Sequence, residues 1–221
     1  MGKLDRFDLN RIIKDFDTAY FVETGTCLGD GVSYASLFPF KKIYSLEIMA
    51  DLAIKARNRF ELKSNISIVQ SDSVSGLRQI LPGIKRNIVF WLDAHFPGAD
   101  AGLNSYTITN SETLRLPLQQ EIETICSLRK GFNDVFLMDD LRIYEDGNYQ
   151  NGNVPPDARP SNERDINFVT ENFSKTHFIF RCYNDEGYIL LFPKRKYNRA
   201  HFEFKNLFRK KSHKEDYYLL I

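Results

Sequence analysis

Asp93, Asp139 and Asp140 each stand where an apolar run stops abruptly. FWLDAH carries Asp93 and His95, and FLMDD ends in Asp139 and Asp140. Short apolar runs bounded this way read as strands buried on both faces of a parallel sheet. Carboxylates at their ends are costly to bury unless something positive compensates them. In open α/β sheets, ligands sit at the carboxyl ends of the strands. The three acids are therefore expected to converge where a ligand or metal ion binds. Two plainer readings stand beside this one. Asp140 can cap a turn, and Asp93 can accept a hydrogen bond from a ligand amino group without any metal. His95 is placed to accept a proton.

A second group lies at the end of the first apolar strand, in VETGTCLGDG at 22–31. Gly25 and Gly29 fall between a strand and a helix, where glycine lets backbone approach a ligand. A turn that merely needs glycine is the plainer explanation. Glu47 ends the second strand, 24 residues after Glu23. A carboxylate there typically accepts bonds from ribose hydroxyls. The third strand ends in Gln70-Ser71-Asp72-Ser73, polar groups able to read an adenine edge. A nicotinamide site would want GxGxxG, but Cys27 occupies the middle position. Glu23 before the loop would repel a pyrophosphate and welcome a sulfonium or amino group.

These residues need a scaffold. The apolar spacing of Leu9, Ile12, Ile13 and Phe16 predicts an amphipathic helix. Strands are expected at 19–23, 42–47, 66–70, 87–94 and 134–139, and helices at 30–38, 49–60, 73–81, 116–130 and 164–172. Pro82-Gly83 and Gly131 act as helix stops. Segments 177–181 and 187–192 read as a hairpin around Asn184-Asp185-Glu186. Alternating strands and helices closed by a hairpin predict an α/β fold, a mostly parallel sheet covered by helices. Segments 95–115 and 140–162 have no clear period and are expected to cover a substrate. They offer Tyr106, Thr107, Asn110, Arg142, Tyr144, Asn148, Asn151 and Asn153, which suit a sugar or phosphorylated acceptor. Acids early in a helix follow from the macrodipole, which accounts for Glu121 and Glu123, although Glu121 could face the site. His177, at a strand start, reads as structural, and His201 and His213 as solvated.

The 221 residues suit one domain, 1–193, with an extension at 194–221. That extension holds nine Lys/Arg against three acids, while the chain as a whole is only +1. The acidic body argues against a nucleic-acid partner. HFEFKNLFRKK at 201–211 could touch an anionic membrane. The expectation is that its apolar residues pack on the domain or on a second subunit, which leaves a homo-oligomer open. YYLLI at the end reads as buried or paired. Three widely spaced cysteines indicate neither a disulfide framework nor a zinc site. With no signal peptide in MGKLDRFDLN and no membrane-length apolar run, a cytoplasmic location is expected.

The order of elements together with VETGTCLG, SLE, SDS and WLDAH resembles a class I S-adenosylmethionine-dependent methyltransferase over roughly residues 18–193. The resemblance implies a Rossmann-like seven-stranded sheet in the order 3-2-1-4-5-7-6. It implies a methionine site at Glu23, Gly25, Thr26 and Gly29, a ribose site at Glu47, and an adenine site at Ser71, Asp72 and Ser73. Within that superfamily the acids resemble those of metal-dependent O-methyltransferases acting on macrolide sugars and bacterial surface glycans. Carried over, Asp93, Asp139 and Asp140 are the metal ligands, for Mg²⁺ or Mn²⁺. The expected activity is methyl transfer to a hydroxyl of a small-molecule or glycan acceptor. A phosphorus-bearing glycan group, RNA, protein, or a non-catalytic binding role are the alternatives. The Asn-Pro-Pro-Tyr run of N-methyltransferases is absent.

Overall fold

The computed structural model describes residues 3–99, 101–105, 111–161 and 164–194, and the backbone of 217–220. Among the described residues seven α-helices and eight strands follow in chain order. They are α1 (Leu9–Phe16), β1 (Thr18–Thr24), α2 (Asp30–Ala35), β2 (Lys42–Glu47), α3 (Ala50–Arg59), β3 (Ile66–Gln70), α4 (Ser73–Ile80) and β4 (Asn87–Leu92), then α5 (Glu112–Arg115), α6 (Leu118–Leu128), β5 (Val135–Asp139), α7 (Asn167–Phe173), β6 (His177–Cys182), β7 (Tyr188–Pro193) and β8 (Tyr217–Leu220).

The strands form one sheet in the order β3-β2-β1-β4-β5-β7-β6-β8. Strands β1 to β5 are mutually parallel, and β7 joins β5 antiparallel. The first seven strands have the order 3-2-1-4-5-7-6 of a Rossmann-like methyltransferase sheet. The eighth, β8, pairs antiparallel with β6, Phe180 opposite Leu219, so the end of the chain is paired. The tail at 195–216, including His201, His213 and HFEFKNLFRKK, lies outside the described residues.

Alternation along the strands builds two cores. Val22, Phe90, Leu92, Phe136 and Met138 point to the face covered by α4, α6 and α7. Phe21, Val89, Trp91, Val135 and Leu137 point to the face covered by α1, α2 and α3. Covering both faces is why the central strands read as continuous apolar runs. Phe90 and Phe136 stack across β4 and β5, ring centroids 5.0 Å apart. At the amino ends of these strands, Arg129 Nη2 meets Asp134 Oδ1 at 2.7 Å and also donates to the carbonyl of Arg86.

Element boundaries moved where side chains or turns capture the backbone. The helix expected from Leu116 begins at Leu118, because Leu116 N–H closes the preceding turn onto the Glu112 carbonyl. The helix expected from Arg164 begins at Asn167, whose N–H donates to Asp165 Oδ1 at 2.7 Å. Segment 95–115, expected to be irregular, contains α5. Before α1, Phe7 is buried against Trp91 and Tyr188 and anchors the first residues across the sheet. Among the described residues, no helix is long and apolar enough to cross a membrane.

Candidate active site

Because β1 to β5 run in parallel, their carboxyl ends open along one edge of the sheet, and the predicted residues gather there. Gly25 has φ +81°, and a Cβ on it would lie 2.4 Å from the Asp93 carbonyl oxygen. Glycine is thus needed for the loop after β1 to sit against the loop after β4. The N–H groups of Gly25 and Thr26 both donate to the Leu46 carbonyl, at 2.9 and 3.2 Å. Cys27 N–H donates to Glu47 Oε2 at 2.8 Å, and Gly29 N–H to the Thr26 carbonyl. These donors are spent inside the fold, so this stretch is not a phosphate cradle of the glycine-rich kind.

Three carboxylates follow the strand ends. Glu23 is 1% exposed, and its Oε2 accepts from the Ser45 hydroxyl. Its Oε1 fills the space where a Cβ on Gly31 would stand, at the start of α2. Burial pushes the Glu23 carboxyl up to about 8 despite the Ser45 hydrogen bond. Glu47 is also raised by burial, opposed by the N–H groups of Met49 and Cys27 that it accepts. Asp72 begins α4, and its Oδ1 accepts from Ser75 N–H at 2.8 Å.

A cavity of about 810 Å³ runs along this edge. Glu23, Gly25, Thr26 and Glu47 line it, as do Ser71, Asp72 and Ser73. Asp93 and His95 line it too. Gly29 does not line it; with φ +83° it makes the turn into α2 against the Phe60 ring.

Behind Asp93 lies a chain of charged contacts. His95 Nδ1 is 3.5 Å from Asp93 Oδ1, and His95 Nε2 is 3.2 Å from Asp140 Oδ2. Arg142 Nε donates to Asp140 Oδ1 at 2.7 Å, and its Nη2 meets Glu186 Oε1 at 2.9 Å. Asp140 has φ +60°, a left-handed backbone that aspartate tolerates. Burial opposes its charge, but His95 and Arg142 overcome this and hold its carboxyl below the usual range. Asp139 is in the opposite situation. It is 3% exposed, and neither carboxylate oxygen has a hydrogen-bond partner among the described residues. Burial, then Asp93 and Asp140, push its carboxyl well above the ordinary value.

Asp93, His95 and Asp139 each offer a ligand atom, all within 4.8 Å of one another. A buried carboxylate without a donor beside a second carboxylate and an imidazole fits a divalent cation. Asp140, the third ligand implied by the sequence, is bonded to Arg142 and His95 and lies outside this group.

Glu121 faces this cluster from α6. It is 1% exposed, and burial pushes its carboxyl up to about 7 against the opposing effect of Ser73 and Thr24. With His95, Asp139 and Tyr144 it borders a small void of about 10 Å³ behind the main cavity. The sequence signal was only an acid on the first turn, which the macrodipole already explains. His177 is structural, its Nε2 lying 3.0 Å from the Asp134 carbonyl.

On the acceptor side, Phe96, Pro97, Gly98, Thr113 and Leu114 from segment 95–115 line the cavity, as does Gln120 of α6. Tyr106, Thr107 and Asn110 lie outside the described residues. No described residue of 140–161 lines it. That segment is tied elsewhere. Asn151 N–H donates to the Asp185 carbonyl, and Asn153 Oδ1 accepts from Gly147 N–H. Arg115 joins the two segments by donating to the carbonyls of Asp157 and Arg159. Arg142 and Tyr144 reach the acid cluster from inside.

No family model matches the chain, and no curated protein matches it by sequence. Solved structures do match. An O-methyltransferase from Bacillus cereus in complex with S-adenosylhomocysteine has 13% identity and a TM-score of 0.55, covering 84% of this chain and 79% of its own. The S-adenosylhomocysteine-bound Podospora anserina methyltransferase PaMTH1 has 13% identity and a TM-score of 0.53, covering 83% of this chain and 75% of its own. The fold is that of class I S-adenosylmethionine-dependent methyltransferases.

Proposed function

We propose that this chain is an S-adenosylmethionine-dependent methyltransferase acting on a hydroxyl of a saccharide or related surface-glycan precursor. Mg²⁺ or Mn²⁺ would sit beside the acceptor. One observation carries the reading. One cavity is lined by Glu23, Glu47 and Asp72 and also by Asp93 and His95. The fold shared with methyltransferases supports it.

In this reading Glu47 takes the ribose hydroxyls and Ser71, Asp72 and Ser73 the adenine. Glu23 and the Gly25-Thr26 turn take the amino-acid end. A cation arriving beside Glu23 favours its carboxylate and offsets its burial. Asp93 and Asp139 would hold the metal, which when bound lowers the pKa of an acceptor hydroxyl and fixes its oxygen. Asp140, held ionised by Arg142, accepts from His95 Nε2 and leaves Nδ1 toward Asp93 as the proton acceptor. Bound there, the donor would supply an electrophilic methyl group to the acceptor oxygen and leave as the neutral thioether as its carbon–sulfur bond breaks, and His95 would hold the hydroxyl proton. Thr113 and Gln120 add polar groups where the acceptor would lie.

The test is transfer of a labelled methyl group from S-adenosylmethionine to a panel of nucleotide sugars, oligosaccharides, phosphorylated sugars, catechols and RNA. We expect label on a saccharide hydroxyl, lost with EDTA and restored by Mg²⁺ or Mn²⁺. Label on RNA alone, or on nothing, would overturn the reading.

A further inference from the structure

We infer that Lys3 anchors the carboxylate of the amino-acid end of the bound donor. The inference deepens the proposed function and rests on it. The cavity is lined by six acidic residues, Asp5, Glu23, Asp30, Glu47, Asp72 and Asp93. These suit the ribose, the ammonium and the sulfonium. They repel the one anionic group that an amino-acid moiety carries, its α-carboxylate. A counter-charge is required, and among the described lining residues Lys3 is the only Lys or Arg.

Backbone amides are the usual substitute for such a cation. Here the N–H groups of Gly25, Thr26, Cys27 and Gly29 are committed to Leu46, Glu47 and Thr26. What remains beside Glu23 is the amino end of α2, whose first N–H groups carry only a partial charge.

Lys3 stands next to a residue that packs near Glu23. A Cβ placed on Gly31 would meet both Glu23 Oε1 and, at 3.8 Å, the side chain of Leu4. The residue after Lys3 thus packs beside the carboxylate that would take the ammonium group. The position is fixed by the fold. Lys3 N–H donates to the Tyr188 hydroxyl at 3.3 Å, Leu4 and Phe7 are buried, and Arg6 pairs with Asp185. The Lys3 side chain is less tightly held. It is 57% exposed, and its Nζ lies 4.0 Å from Asp185 Oδ1, beyond hydrogen-bond reach. Asp185 is already neutralised by Arg6 and accepts from the Tyr188 hydroxyl. Lys3 gives up little by turning into the cavity, and a charge-assisted bond to a carboxylate is stronger than a neutral one.

The experiment is calorimetric titration of the full chain and of Lys3→Gln and Lys3→Arg with two probes. One probe is S-adenosylhomocysteine. The other is its decarboxylated amine analogue, which keeps the ammonium and lacks the carboxylate. Lys3→Gln should weaken S-adenosylhomocysteine about tenfold or more. It should leave the analogue within about twofold, and Lys3→Arg should recover most of the loss. Equal binding of S-adenosylhomocysteine by Lys3→Gln and the native chain would overturn the inference. So would an equal loss for both probes, which marks a general disturbance of the first residues. If the native chain bound neither probe, the proposed function itself would fail.

Discussion

His95 Nε2 lies 3.2 Å from Asp140 Oδ2, while its Nδ1 lies 3.5 Å from Oδ1 of Asp93, which lines the cavity. Arg142 holds Asp140 from the other side at 2.7 Å. If Asp140 accepts the Nε2 proton, Nδ1 is the nitrogen that can receive one. His95→Ala should lower turnover by about 10²–10⁴-fold, the range of a positioned general base. Asp140→Asn should lower it through the wrong tautomer. Neither should change the affinity for S-adenosylhomocysteine more than about threefold, since both sit beyond the predicted donor contacts. Single-turnover rates beside calorimetric binding check both statements.

Asp139 is held against its own stability. It is buried with no hydrogen-bond donor among the described residues, and burial and Asp93 raise its carboxyl. Asp139→Asn should therefore stabilise the metal-free protein, by about 1–2 kcal/mol. It should also abolish Mn²⁺ binding. Thermal melts in EDTA and Mn²⁺ titration followed by electron paramagnetic resonance read the two effects separately.

Glu23 makes stability depend on pH. Its folded pKa of about 8 lies above the ordinary 4.5, so the folded state holds the proton more tightly than the unfolded chain. Its penalty is absent below pH 4.5, grows as pH rises, and is complete above pH 8. Each pH unit in that window costs about 1.4 kcal/mol. Glu23→Gln should lose this slope, gaining several kcal/mol over the native chain at pH 8.5 relative to pH 5. Urea unfolding of both chains across the window tests it.

Arg129 and Asp134 form a buried pair with side chains 2% and 3% exposed. Arg129→Ala would strand the Asp134 carboxylate and release the carbonyls of Ile84 and Arg86. The expected loss is about 3–5 kcal/mol in urea unfolding.

The strand ends were legible because burial on both faces leaves a plain trace, an apolar run cut off by an acid, as at Leu92-Asp93 and Met138-Asp139. Gly25 was legible because a left-handed turn has few alternatives. The partners of Asp140 were not. Arg142 reaches Glu186 only because β7 lies beside β5, a crossover that local sequence does not encode. Glu121 was masked by a sufficient local explanation, the helix dipole. Lys3 gave no signal, since its place at the cavity depends on Phe7 packing on Trp91 and Tyr188, far away in the chain. Segment 140–162 read as a cover because it is polar and irregular. In the structure that irregular backbone is tied to the β6–β7 turn by Asn151 and Arg142.

The most direct measurement is isothermal titration of S-adenosylhomocysteine into the purified native chain and into Glu47→Ala, each with Mg²⁺ and with EDTA. The account predicts micromolar binding to the native chain that survives EDTA, and a loss of at least about tenfold in Glu47→Ala. Absence of binding to the native chain in both conditions would contradict it.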